Sequence, residues 1–205
     1  LSADQGYLNS INEIGMSYFD GHGVEKNLEQ SFKYFKIASD KGLDQAQYNI
    51  GIAYQMGYGV NPDLQKAIEH YKLAADQGNS DAQANLAYLY GHEEEFKDYQ
   101  KAFLYNKLAA AQGDFIAQNN IGVAYEYGEG VKKDLKKAFE YYKLSDKQGA
   151  VNSTDTGLVT NVGEVPYSNP TYIDFPFYQK NSFNLYSISL YIYYHIIKFS
   201  RQQNF

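Results

Sequence analysis

The stretch LDQAQYNIGIAYQMGYGVNPDLQKAIEHYKLAADQG, residues 43–78, decides the fold. In its first half Ala46, Ile50, Ala53 and Gly57 recur at steps of four and three residues, with Tyr54 beside them, which is the stripe of one helical face. GYGV, residues 57–60, then interrupts that stripe, because paired glycines permit a turn that side chains resist. A second helix restarts at Asp63, whose short carboxylate suits a helix start, and stops at Gly78, which suits a helix end. The unit is helix, tight loop, helix.

The same phrase recurs along the chain. Gly6, Gly42, Gly78, Gly113 and Gly149 are spaced by 36, 36, 35 and 36 residues. Ser31, Ala67, Ala102 and Ala138 form a second comb, and Gly15, Gly51, Ala87 and Gly122 a third, each three residues ahead of Tyr18, Tyr54, Tyr90 or Tyr125. A fixed period of this length signals a repeat architecture. Asn27, Asp63, Asp98 and Asp134 fall where the second helices begin, and each is expected to cap its helix. Phe32, Ile68, Phe103 and Phe139, then Ile37, Leu73, Leu108 and Leu144, are expected to form the apolar face of those helices. Every comb glycine is expected to end a helix, so LSADQG (1–6) reads as the tail of a hairpin whose beginning lies upstream, in a longer array.

The order A, I-G, Y, G-x-G-V, D, K-A, Y, L, Q-G, as it stands across 46–78 and 117–149, resembles the Sel-one-like repeat family, relatives of the tetratricopeptide repeats. The resemblance covers about residues 1–150, with GHEEEFKD (91–98) replacing the glycine loop of the third unit and Ser31 the usual alanine of the first. It implies an all-α fold: an αα-hairpin solenoid, a right-handed superhelix of about four repeats (7–42, 43–78, 79–113 and 114–149), followed by an irregular tail over 151–205. One such hairpin cannot bury its own apolar face, so stacking on neighbours supplies the core.

Composition narrows the function. The chain has 205 residues with 18 Lys+Arg against 24 Asp+Glu, no cysteine, and Arg201 as its one arginine. Nucleic acid is a poor partner for an acidic chain without arginine forks. The lack of thiols suits a reducing compartment and leans towards the cytoplasm. His92 with Glu93, Glu94 and Glu95 is the best metal candidate, but neighbouring loop side chains diverge, so a solvated acidic loop is expected and no metal or cofactor. No Ser-His-Asp grouping, phosphate loop or paired-carboxylate motif stands in the sequence, so it is read as no enzyme. The basic run in VKKDLKKAFEYYK (131–143) reads as the wet side of a helix.

Binding is sought on the first helices. Glu13, Asn49, Asn85 and Asn120 share one phase, and an amide can both donate to and accept from an extended peptide; the competing reading is that these residues tie neighbouring helices together. The adjoining rows change from unit to unit: Asn12, Tyr48, Ala84 and Asn119 in one, Phe19, Gln55, Gly91 and Glu126 in the other. Variation on a face suggests read-out of a partner, with Tyr48 and Phe19 as aromatic anchors. The expected site is Asn12, Phe19, Tyr48, Asn49, Gln55, Asn85, Asn119, Asn120 and Glu126, and the expected partner a protein or peptide.

The tail differs in character. Residues 1–150 hold 36 of the 42 charged side chains, and Pro166, Pro170 and Pro176 crowd together beyond them. SFNLYSISLYIYYHIIKF, residues 182–199, is apolar and tyrosine-rich with Lys198 its one charge. A membrane span is disfavoured, being short and carrying Asn184, Ser187, Ser189 and His195. A segment covering the last repeat and a stretch that is not a native folded element are the other readings, and poor order is expected. Family resemblance implies a non-catalytic interaction scaffold or adaptor. The alternatives are a β-lactam-binding or hydrolase-like role, as in cysteine-rich relatives, and a membrane-tethered adaptor through 182–199.

Overall fold

The computed structural model describes the backbone of residues 2–155 and the side chains of 6–147. Those residues form eight α-helices and no strand: α1 (Ser2–Asp20), α2 (Leu28–Asp40), α3 (Asp44–Met56), α4 (Leu64–Asp76), α5 (Ser80–His92), α6 (Tyr99–Ala111), α7 (Phe115–Tyr127) and α8 (Leu135–Asp155). They group into two compact units divided within α5, one through Leu89 and one from Tyr90. Residues 156–205, and with them the readings made for 182–199, lie outside the described residues.

The second helices start as their caps dictate. Asn27, Asp63, Asp98 and Asp134 each accept the amide of the residue three further on, at 3.0 to 3.1 Å, satisfying one of the free donors of a first turn. Lys66, Lys101 and Lys137 reach back to Asp63, Asp98 and Asp134. Each ammonium also lies over a first-helix ring, Tyr54, Tyr90 or Tyr125, at 5.1 to 5.3 Å, within cation–π range. The recurring lysine beside the small residue therefore ties cap, second helix and first helix together.

Tyr54 packs edge-on against Phe32 of the preceding hairpin in the first unit, and Tyr125 against Phe103 in the second, with centroids 5.5 and 5.4 Å apart. On the other side Tyr18, Tyr54, Tyr90 and Tyr125 stack on Tyr34, His70, Tyr105 and Tyr141. Backbone contact sets the closeness. Gly59 takes φ +70° and a Cβ there would run into the carbonyl of Leu28 at the start of α2; Gly130 stands in the same relation to Tyr99 at the start of α6.

Two expectations are corrected. Ile37, Leu73, Leu108 and Leu144 are 42–50% exposed, so they form no core row. The buried stripe runs instead through Ala67, Tyr71 and Ala74, and equivalently through Ala138, Tyr142 and Ser145. Position 73 is two residues past Tyr71, about 200° around a helix. Gly42, Gly78 and Gly113 do turn left-handed between helices, whereas α1 runs unbroken through Gly6 and α8 through Gly149 to Asp155. Glycine permits that turn without imposing it. Of the tail expected over 151–205, the described residues reach only Asp155.

Candidate functional site

The first-helix rows hold a set of linked polar contacts. Asn49 on α3 donates through Nδ2 to Oδ1 of Asn12 on α1 at 2.9 Å. One hairpin further, Asn85 on α5 is hydrogen-bonded to the hydroxyls of both Tyr48 and Tyr71, and the Tyr71 hydroxyl donates to Gln55 Oε1 at 2.7 Å. Burial, reinforced by the Asp81 carboxylate, pushes the Tyr48 phenol up, and burial does the same to Tyr71. Both stay neutral at any physiological pH. In the second unit Tyr142 donates to Glu126 Oε2 at 2.7 Å and Asn120 to Asn106 Oδ1 at 3.3 Å.

Five of the nine expected contact residues, Asn12, Tyr48, Asn49, Asn85 and Asn119, are only 5–9% exposed, so they offer a partner little surface. Phe19, Gln55 and Glu126 are half-buried and Asn120 is exposed. Phe19 meets Tyr58 edge-on at 5.3 Å and carries Lys26 over its ring. Glu13, in the phase of the asparagines, is exposed.

The variation along these rows is compensated inside the fold. Where the second helix supplies a tyrosine, Tyr71 or Tyr142, the first helix supplies an acceptor, Gln55 or Glu126. Where it supplies Phe35, the matching position is Phe19, which accepts nothing; where it supplies Asn106, the match is Gly91. The third comb follows suit. Gly15, Gly51 and Gly122 lie against the rings of Phe35, Tyr71 and Tyr142, with room for no Cβ, and the repeat that carries Asn106 has Ala87. Change from repeat to repeat thus also arises between partners within a hairpin.

Sequence reasoning missed another row. Met16, Ile52, Tyr88 and Val123 occupy one first-helix phase and are half-buried on the side away from the Ala46, Ile50 and Ala53 core stripe. Their signal was an apolar residue three past each Glu13, Asn49, Asn85 and Asn120, hidden because the core stripe absorbs most apolar residues. Among the described residues no three histidine or carboxylate groups converge to hold a metal, and no helix is long and apolar enough to cross a membrane.

Antiparallel helix pairs stacked through capped loops, with a half-buried apolar row on the first helices, define the class of αα-hairpin repeat proteins. The Sel1 repeat model matches residues 9–43, 44–79, 80–114 and 116–149, and the chain belongs to that family. It is similar to the solved structure of a Sel1 repeat protein from Oxalobacter formigenes, at 34% identity and TM-score 0.68, over 71% of this chain and 60% of that one. It is also similar to c5321, a protective antigen of uropathogenic Escherichia coli with an SLR fold, at 32% identity and TM-score 0.68, over 72% of this chain and 32% of that one. The match thus spans less than two thirds of either relative. No curated protein matches the sequence. Proteins of this family are in general protein-interaction scaffolds rather than catalysts.

Proposed function

We propose that this chain is a non-catalytic scaffold that holds a protein segment on the face of its first helices. The observation that carries this reading is the half-buried row of Met16, Ile52 and Tyr88 in the first unit, with Val123 in the same helix phase of the second. Apolar side chains away from the core are what an extended or helical segment uses as pockets. Phe19, Gln55, Asn120 and Glu126 are the expected residues with surface to offer beside it. Asn12, Tyr48, Asn49, Asn85 and Asn119 act beneath them, fixing where the contact residues stand.

A photo-crosslinking amino acid placed at Ile52 tests the reading, with the same probe at Leu73 on the second helix as control. The scaffold reading expects a discrete protein adduct at Ile52 and none at Leu73. Equal labelling at both positions, or none at Ile52, overturns it.

A further inference from the structure

Positive charge is sorted between the two kinds of helix. The four first helices carry Asp4, Glu13, Asp20, Asp44, Asp81 and Glu126 and neither lysine nor arginine, whereas every second helix carries at least two lysines. The sorting is not a by-product of the acidic composition, since Lys+Arg number 18 in the chain against 24 Asp+Glu.

In the first unit, Glu13 and Asp20 are exposed on α1, on either side of half-buried Met16. Beside this face Lys26, a loop residue, is held over the Phe19 ring at 5.4 Å, and His22 Nδ1 lies 3.9 Å from Asp20 Oδ2. In the second unit Glu126 is half-buried on α7, with Oε2 accepting from the Tyr142 hydroxyl at 2.7 Å. Carboxylates beside half-buried apolar side chains, on helices that carry no lysine or arginine, are matched by one partner chemistry: ammonium or guanidinium groups on a chain that also carries apolar residues.

We propose that the first-helix face selects an extended segment in which lysine or arginine alternates with apolar residues. The inference rests on the scaffold reading above and adds the sign of the partner. Apolar side chains seat on the Met16 and Ile52 row, and the cations between them meet Glu13 and Asp20; Glu126 provides the corresponding acceptor in the second unit.

The test uses the whole chain and three fluorescein-labelled peptides of about ten residues, roughly 33 Å when extended, alternating leucine with lysine, glutamine or glutamate. Anisotropy titrations are run at about 50 and about 300 mM NaCl, where the screening length drops from roughly 14 to roughly 6 Å. The lysine peptide is expected to bind at least ~10-fold tighter than the glutamine peptide and to lose most of that advantage at the higher salt. Glu13→Gln, Asp20→Asn and Glu126→Gln together are expected to weaken the lysine peptide about fivefold and leave the glutamine peptide unchanged. Glu69→Gln with Asp76→Asn on α4 is expected to change neither. Equal binding of lysine and glutamine peptides overturns the charge inference and leaves the scaffold reading standing. Binding of none counts against both, and equal weakening by the α4 control shows bulk attraction to an acidic protein, which overturns the site.

Discussion

Replacing Gly51 with alanine sets a new methyl carbon 2.5 Å from Cδ1 and Cε1 of Tyr71. The ring has nowhere easy to go: it is fully buried, its centroid lies 5.8 Å from that of Tyr48, and its hydroxyl is anchored to Gln55 at 2.7 Å. Alanine gains about 0.5–1 kcal/mol over glycine in a helix interior. Overpacking costs about 1–3 kcal/mol, and dragging the hydroxyl off its acceptor costs about 1–3 kcal/mol more. The net expectation is a loss of about 2 kcal/mol, which at a urea dependence of about 2 kcal/mol per molar moves the midpoint down by roughly 1 M. Urea unfolding followed by circular dichroism reads this, comparing midpoints because arrays of hairpins need not unfold in one step. The chain supplies its own control in Ala87 and Asn106, the residues at the same two positions of the third repeat. Gly51→Ala with Tyr71→Asn is therefore expected to be at least ~1 kcal/mol more stable than the sum of the single changes. A rise in midpoint for Gly51→Ala, or additivity within ~0.5 kcal/mol, refutes the reasoning.

Gly59→Ala meets both a positive φ and the backbone of Leu28, and is expected to cost more than about 2 kcal/mol by thermal melting, more than Gly23→Ala, which meets nothing. Leu73→Lys, at an exposed position, is expected to leave the melting temperature unchanged within the equivalent of about 0.5 kcal/mol; a loss of several times that restores the core role its sequence position suggests. Burial first, then Lys36, lowers the pKa of His70, against the opposing pull of Asp40 and Glu69. A lowered folded value means the unfolded chain binds the proton more tightly, so the contribution is whole above imidazole's usual ~6.5 and is lost as pH falls through the folded value. Denaturation midpoints from pH 8 to pH 5 are expected to show this slope in the wild type and to lose it in His70→Tyr, the residue type at Tyr34, Tyr105 and Tyr141.

The fold was legible because its determinants are local and repeated. The caps at Asn27, Asp63, Asp98 and Asp134 and the loops ending at Val60 and Val131 need only near neighbours in sequence to act, so their spacing carries the hairpin. What is non-local was read less well. Leu73 has the residue type of a core position, yet only the angle set by Ala67, Tyr71 and Ala74 places it outside. Gly6 and Gly149 carry the same letter as the stops at Gly42, Gly78 and Gly113, yet α1 and α8 run through them, because glycine permits the turn without imposing it. At the candidate site, the change from Tyr48 to Ala84 to Asn119 suggests a read-out because each row is seen alone. Tyr71 with Gln55, and Tyr142 with Glu126, lie sixteen residues apart, and their pairing shows only once the two helices are folded together.

The join between α1 and α3 is an amide meeting an amide, Asn49 on Asn12, while α5 joins the hairpin of α3 and α4 by an amide meeting two phenols, Asn85 on Tyr48 of α3 and Tyr71 of α4. Modules that look interchangeable by their shared letters are thereby made sequential. Transposing the second and third would set Ala84 where Asn49 now finds an oxygen, and the mismatch would penalise the shuffled chain even with every loop and cap intact. Gene duplication can lengthen such a protein easily, but each new copy has to drift in concert with its neighbour before its place in line is fixed.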